Sequence, residues 1–526
     1  MKKNKKTFFL AAVILASAII LTTCDGGNGV DDGDNTPTVP NAPAMQQIDA
    51  ANRELTVQWG AVSGANTYNL YWNTTGGVTT ADNSVTGLLT PYYVHPGLSM
   101  FKTYSYRVTA VNSAGESALS NEMSALAAGT PAELWKRVAS DTADDDEFGF
   151  SVAMSGDYVV VGALYDDDGG TSSGAAYIYE RNYGGQNYWG EVKKLTASDA
   201  GASEFFGCSV AIDGDYVVVG AYQEIDVINR GAAYVYNRNA GGPDNWGEVK
   251  KLSASDAQPF DFFGCAVGIS GDYVVVGANR VEGAGTDRGA AYIYGRNFGG
   301  PDNWGEVKKL SASNPEDFAY FGDSVAISGD HVVVGAYMED WGGNNRGAAY
   351  VYNQNLGGND AWGEVTKLTA ADAVDSDQFG FSVAINGDYA IVGAWRKAGA
   401  WPQSGAAYIY GRNTGGADNW GEVAKLTASD AATSDVFGTS VSISGDYVIV
   451  GATSKSIPGV RRGAAYIYAR DYGGVDNWGE IMKLTASDAE DEDRFGVSVS
   501  ISGDFAVVGA HWENGTGTHR GAIYIF

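Results

Sequence analysis

Apolar positions in this chain fall in short runs, mostly of period two or wholly apolar, separated by turns rich in Gly, Asn, Asp and Ser. One stretch shows the pattern in full. Phe206-Gly-Cys-Ser-Val-Ala-Ile212 alternates large and small residues, and Asp213-Gly214-Asp215 makes a turn. Tyr216-Val-Val-Val219 is wholly apolar, and a loop of changing sequence leads to Gly231-Ala-Ala-Tyr-Val-Tyr236. A Gly-rich loop over 237–245 precedes Trp246-Gly-Glu-Val-Lys-Lys-Leu252. This predicts four short strands, A to D, joined as a meander. Alternation along strand A predicts Phe206, Cys208, Val210 and Ile212 on one side, with Gly207, Ser209 and Ala211 on the other.

The unit recurs. Phe-Gly pairs begin at Phe148, Phe206, Phe263, Phe321, Phe379, Phe437 and Phe495, spaced 57 or 58 residues apart. A fixed period of this size marks an array of one supersecondary unit. A single meander cannot bury two apolar faces, but the bulky side of one unit can nest on the small side of the next. Seven units stacked about an axis give a β-propeller; a linear solenoid would show atypical caps at both ends. The last unit stops at Phe526 after its third strand. A matching fourth strand precedes the first unit, as Glu133-Leu-Trp-Lys-Arg-Val-Ala-Ser-Asp141, although Arg137 falls where Leu195 lies. The fold class expected is therefore all-β, with 133–140 closing the ring and removing open sheet edges.

The units resemble FG-GAP repeats, the family of the integrin α-chain propeller. They look closest to its bacterial form, as in Phe437-Gly-Thr-Ser-Val-Ser-Ile-Ser-Gly-Asp-Tyr-Val-Ile-Val-Gly-Ala452. The family's Pro after Gly-Ala is absent from every copy. In the integrin relatives calcium sits in an expanded A–B hairpin. Here that hairpin is contracted to forms such as Ser270-Gly271-Asp272, which cannot supply six to eight oxygens. Asp157, Asp215, Asp272, Asp330, Asp388, Asp446 and Asp504 read as turn residues. No cofactor is expected, and loop spacing does not support calcium.

Between Ala44 and Ala127 the strands are of another kind. Leu55-Thr56-Val57-Gln58-Trp59, Tyr68-Asn69-Leu70-Tyr71-Trp72 and a longer run over 104–112 read as a β-sandwich. The pattern looks like a fibronectin type III domain, with Trp59 in the core and Leu98 and Tyr104 as its tyrosine corner. Met100 stands where that family often has Pro. No Arg-Gly-Asp tripeptide occurs in this segment, and a spacer role is preferred.

The N-terminus carries Lys2, Lys3, Lys5 and Lys6, an apolar run over 8–21, then Thr22-Thr23-Cys24. This resembles a bacterial lipoprotein signal, with Thr23 departing from the usual Gly, Ala or Ser. Acylation at Cys24 and a flexible tether after it are the expectation. The domains read as signal 1–24, tether 25–40, fibronectin type III-like domain 41–128 and propeller 129–526. Localisation is expected to be exported and lipid-anchored to a bacterial envelope, at the outer membrane or cell surface. Net charge of −29 argues against nucleic acid. Cys208 and Cys265 occupy one repeat position and read as small buried hydrophobes, with a disulfide as the lesser alternative.

Catalytic chemistry is not visible. Four histidines, His95, His331, His511 and His519, have no metal-ligand spacing, and no nucleophile elbow or phosphate loop occurs. Acidic clusters such as 144–147, 166–168 and 490–493 read as solvated charge. Trp189, Trp246, Trp304, Trp362, Trp420 and Trp478 recur at one position and read as scaffold. The A–B and C–D loops are nearly constant among copies, whereas the D–A and B–C loops, at the other end of a meander ring, vary. The variable B–C loops carry Trp341, Trp395, Trp401 and Trp512, with Tyr165, Tyr222 and Tyr337, as candidate binding residues. The function expected is binding or adhesion toward a protein or carbohydrate ligand, with membrane contact through Cys24 and no enzyme activity. A carbohydrate-active hydrolase or lyase on the same face, and an envelope protein with no discrete ligand, are the alternatives.

Overall fold

Each of the seven repeats folds as a four-stranded antiparallel meander in the computed structural model, which describes residues 37–51, 54–98, 102–127, 133–223, 229–283, 285–399, 401–456 and 460–526. The signal-like segment and Cys24 lie outside the described residues. In the second blade strands A to D are Phe206–Asp213, Tyr216–Ala221, Ala232–Asn237 and Gly247–Leu252. Trp246 precedes strand D rather than opening it. The seventh blade takes its fourth strand from the other end of the chain: Trp135–Arg137 pairs antiparallel with Ala522–Ile525, with Trp135 opposite Ile525. The fold is a closed seven-bladed all-β ring. Its register leaves Arg137 at the position of Leu195, where the guanidinium donates to the Trp189 carbonyl at 2.8 Å and stacks on Trp135.

The core is divided into seven inter-blade layers. One blade contributes Val160, Ala176, Ile178 and Leu195, and the next contributes Phe206, Val217, Val219, Tyr234 and Trp246. The layer between the last and first blades has the same composition, with Val507 and Ile523 packed on Phe148, Val159 and Trp189. The repeated Trp residues are fully buried, and each packs against the residue opening strand B of the preceding blade, as Trp246 does on Tyr158 at 5.5 Å. His331 fills that Tyr position and packs on Trp420 at 5.4 Å.

Glycine sets how closely the blades approach. A Cβ on Gly162 would stand 1.9 Å from the carbonyl oxygen of Gly207 in the next blade. Strand A is bulged, with Phe206 opposite Ala221 but Ser209 opposite Gly220. Phe206, Val210 and Ile212 share the inter-blade core as the alternation predicts, with Ser209 and Ala211 half-buried. Cys208 lies at one end of the central channel. Cys208 is buried and Cys265 half-buried; both are free thiols at that channel end, and each Sγ donates to a carbonyl of the next blade, Gly264 or Gly322, at 3.4 Å.

The N-terminal domain is a two-sheet sandwich. Met45–Ala51, Glu54–Trp59 and Tyr92–His95 form one sheet. Asn83–Leu88, Thr67–Asn73, Thr103–Asn112, Gly115–Glu116 and Met123–Leu126 form the other. Trp59, Leu70, Leu98 and Tyr104 share its core. Met100 lies outside the described residues. The sandwich meets the propeller on the A–B and C–D side: Lys102 Nζ stands 3.9 Å from Asp504, and Thr74 and Lys102 line a cleft with Asp446 and Arg470.

Candidate functional site

The D–A and B–C loops build the opposite end of the ring, and their geometry repeats even though their sequence does not. The residue before each Phe-Gly, from Glu147 and Phe205 to Val436 and Arg494, is left-handed in all seven blades, with φ between 52° and 58°. Such backbone costs a bulky residue of order 1 kcal/mol or more, so it is fixed by the loop around it. An acid two residues before the Phe caps that loop: Asp146, Asp261, Asp377, Asp435 and Asp493 accept the amides of Ala143, Gln258, Val374, Ala432 and Glu490. These buried carboxylates are scaffold.

On this frame the side chains join into an arc of rings. Tyr165 meets Phe205 edge-on at 5.4 Å, Phe205 stacks on Tyr222 at 5.4 Å, and Tyr222 meets Phe262 at 5.5 Å. The Arg280 guanidinium lies over Phe262 at 4.6 Å and over Tyr320 at 6.0 Å. Tyr320 stacks on Tyr337 at 5.8 Å, Tyr337 meets Phe381 at 5.4 Å, and Phe381 meets Trp395 at 5.3 Å. The arc spans blades one to five around the channel end and is half-buried along most of its length. Blade six contributes Thr453 and Val436 in place of rings.

Of the sequence candidates, Tyr165, Tyr222, Tyr337 and Trp395 belong to this arc. Trp341 and Trp401 stand outside it, 44% and 52% exposed. Trp512 is half-buried: Arg494 covers it at 3.5 Å, His519 stacks at 5.0 Å, and its indole donates to Glu147 at 3.1 Å. Burial raises the Glu147 carboxyl above its ordinary range, and burial with Arg494 and His519 pushes His511 down to about 3.

Sequence reasoning missed Phe205, Phe262, Tyr320 and Phe381, because it looked for aromatics only in B–C loops. It also missed Phe260 and Phe318, which are 58% and 53% exposed at φ 65° and 62°. Sibling blades carry Asp145, Ser203, Ser376, Ser434 and Glu492 there. An exposed phenyl ring at a left-handed position adds nothing to the fold, and the internal comparison was the available signal.

The channel end is a cup of about 230 Å³. Its wall is the residue after each Phe-Gly: Phe150, Cys208, Cys265, Phe381, Thr439 and Val497 in six blades, and Asp323 in the fourth. A tier of valines that includes Val210, Val325 and Val441 lies below. Asp323 accepts a hydrogen bond from Asn279 Nδ2 at 2.6 Å. Burial pushes its carboxyl up to about 6, against the Asn279 bond and the Arg280 charge.

Elsewhere the charges are internally matched. Asp141, Asp166 and Asp168 converge on the Lys194 ammonium at 2.8, 2.9 and 2.6 Å, so that cluster encloses a side-chain cation. Five of the seven hairpin Asp residues pair with an arginine of their own blade, as Asp446 with Arg470 at 2.8 Å, whereas Asp330 pairs with His331 and Asp504 lies against Lys102 of the sandwich. The opposite face also exposes apolar side chains, Tyr183, Phe298, Leu356 and Tyr472. They occupy one repeated C–D position, and Tyr472 lines the cleft against the sandwich.

A repeat-built ring with constant loops at one end and varied loops at the other defines the class of the protein. The chain belongs to the FG-GAP repeat family, whose model matches residues 133–179, 189–236, 246–294, 304–352, 362–410, 420–468 and 478–526. No curated protein matches it. Among solved structures, an FN3tt mutant is similar at 22% identity over 17% of this chain and 98% of its own, with a TM-score of 0.15. An Fn3-like protein from Clostridium thermocellum is 26% identical over 17% of this chain and 90% of its own, with a TM-score of 0.14. Sqt1 from Chaetomium thermophilum is 16% identical over 70% of this chain and 81% of its own, with a TM-score of 0.41.

Proposed function

We propose that this is an exported, lipid-anchored binding or adhesion protein that recognises protein or glycan through the D–A and B–C end of its propeller. One observation carries the reading. Aromatic side chains accumulate where the scaffold does not require them, at positions where sibling blades carry polar, charged or aliphatic residues such as Ser203, Gln378, Val436 and Thr453. Rings held by neighbouring rings are pre-ordered, so little side-chain entropy is lost when a ligand covers them. The sandwich touches the other end and leaves this one uncovered by the described chain. Signal-like residues 1–24, Cys24 and the tether over 25–40 support an envelope location, with the sandwich as spacer. Binding is favoured over catalysis because five buried acids at this end, Asp146, Asp261, Asp377, Asp435 and Asp493, are committed to capping loops.

The chain from residue 25 onward should be probed on glycan and protein arrays. Phe260→Ser and Phe318→Ser take the residue of sibling blades, so they should fold normally and lose binding to the array ligand. Undiminished binding by the double variant would overturn the assignment of the face.

A further inference from the structure

We propose that the cup at the centre of this face is a binding site for an organic cation, a primary ammonium or guanidinium at the end of an apolar stem. The inference deepens the binding reading above and rests on it. Six of the seven wall residues are neutral, so the fold is satisfied by Phe, Cys, Thr or Val at this position. Asp323 alone brings a carboxylate. Among the described residues it has no ion pair, and its one hydrogen bond comes from Asn279 Nδ2. The cation whose charge acts on it, Arg280, is held over the rings of Phe262 and Tyr320.

The Asp323 carboxylate faces the cup with the Asn279 amide as its one side-chain donor, so it calls for a further group that donates only, and an ammonium or a guanidinium does so. The rest of the cup fixes the stem. Val210, Val325 and Val441 make an apolar floor, and Phe150 and Phe381 add ring surface, which attracts a cation and also packs on methylenes. A volume of about 230 Å³ admits one side chain or a small amine, not a folded segment.

Calorimetric titration of the chain from residue 25 onward with n-butylammonium and butylguanidinium tests this, with butanol and butyrate as matched controls. N-acetyl-Gly-Lys-Gly-amide separates the sources: tighter binding of the peptide points to a protein side chain, and tighter binding of the free amine to a small molecule. Both cations should bind at least about tenfold more tightly than either control, a difference of about 1.4 kcal/mol. Asp323→Val, which copies Val497, should erase that preference without lowering the melting temperature, and Asn279→Ala should weaken it. Asp323→Asn serves if the valine variant is unstable. Equal binding of butanol and butylammonium, a preference that survives at Asp323→Val or Asp323→Asn, or no cation binding up to about 10 mM would overturn the proposal. Array binding that persists while the cations fail would overturn the cup alone and leave the face standing.

Discussion

Gly509, at the end of strand B in the last blade, lies against Gly149 of the first, so close that a Cβ on it would stand 2.1 Å from the Gly149 carbonyl oxygen. The same pair joins every other neighbouring couple of blades, as Gly220 with Gly264 and Gly335 with Gly380. The ring therefore closes by the contact that also builds it. Gly509→Ala should cost about 3 kcal/mol or more, since backbone faces backbone and neither can yield. Gly503→Ala, at φ 57° with no neighbour within 4 Å, should cost only about 1 kcal/mol. Thermal melting of the two variants checks the ordering.

Closure also runs through Glu133, which accepts the Ser487 amide at 3.0 Å just as Glu191 accepts that of Ser140 at 2.9 Å. A chain starting at Glu133 should stay monomeric with an intact propeller transition. A chain starting at Asp141 lacks the edge strand of the seventh blade and should aggregate. Light scattering and melting compare them; equal behaviour would refute closure by that strand.

Trp304 and Trp401 separate scaffold from surface. Trp304 is buried against Tyr216 at 5.4 Å, and its replacement by Ala should destabilise by about 3–5 kcal/mol. Trp401→Ala should change stability by less than about 0.5 kcal/mol, because the side chain is half exposed. Chemical denaturation of both proteins reads the difference.

Asp493 gives a pH test. Burial raises its carboxyl to about 6 in the fold, above the ordinary 3.8. A raised carboxylate pKa means the folded state holds the proton more tightly. That contribution to stability is full below pH 3.8 and is lost as pH rises through about 6. Asp493→Asn should therefore stabilise at pH 7.5, by about 1–3 kcal/mol, and give no gain near pH 4. Asp430, lowered to about 2 first through Lys483 and Tyr466 against the effect of burial, works in the opposite sense. Its stabilisation is present above pH 3.8 and lost as pH falls through about 2. Melting curves at the two pH values decide whether Asp493→Asn follows the predicted sign.

Much of the fold was legible in the sequence because the repeat carries the information seven times over. The period, the four strands, the closing segment and the division into constant and varied ends all follow from comparing copies. The central site was less legible. The residues after Phe-Gly line one end of the channel as well as touching the next blade, which strand alternation alone does not reveal, and Asp323 passed unmarked among them. The arc was only half visible because Phe205, Phe262 and Tyr320 sit beside the repeated Phe and look like part of the motif. Trp512 stood out in sequence, yet Arg494 and His519 cover it.

The most direct test is which end of the ring a ligand covers. Radical footprinting of the chain with its array ligand bound should protect Phe260, Phe318, Trp341 and Trp401, and leave Tyr183, Phe298 and Tyr472 as reactive as in the free protein. Protection of Tyr183, Phe298 and Tyr472, with the first four unchanged, would contradict the assignment of the binding face.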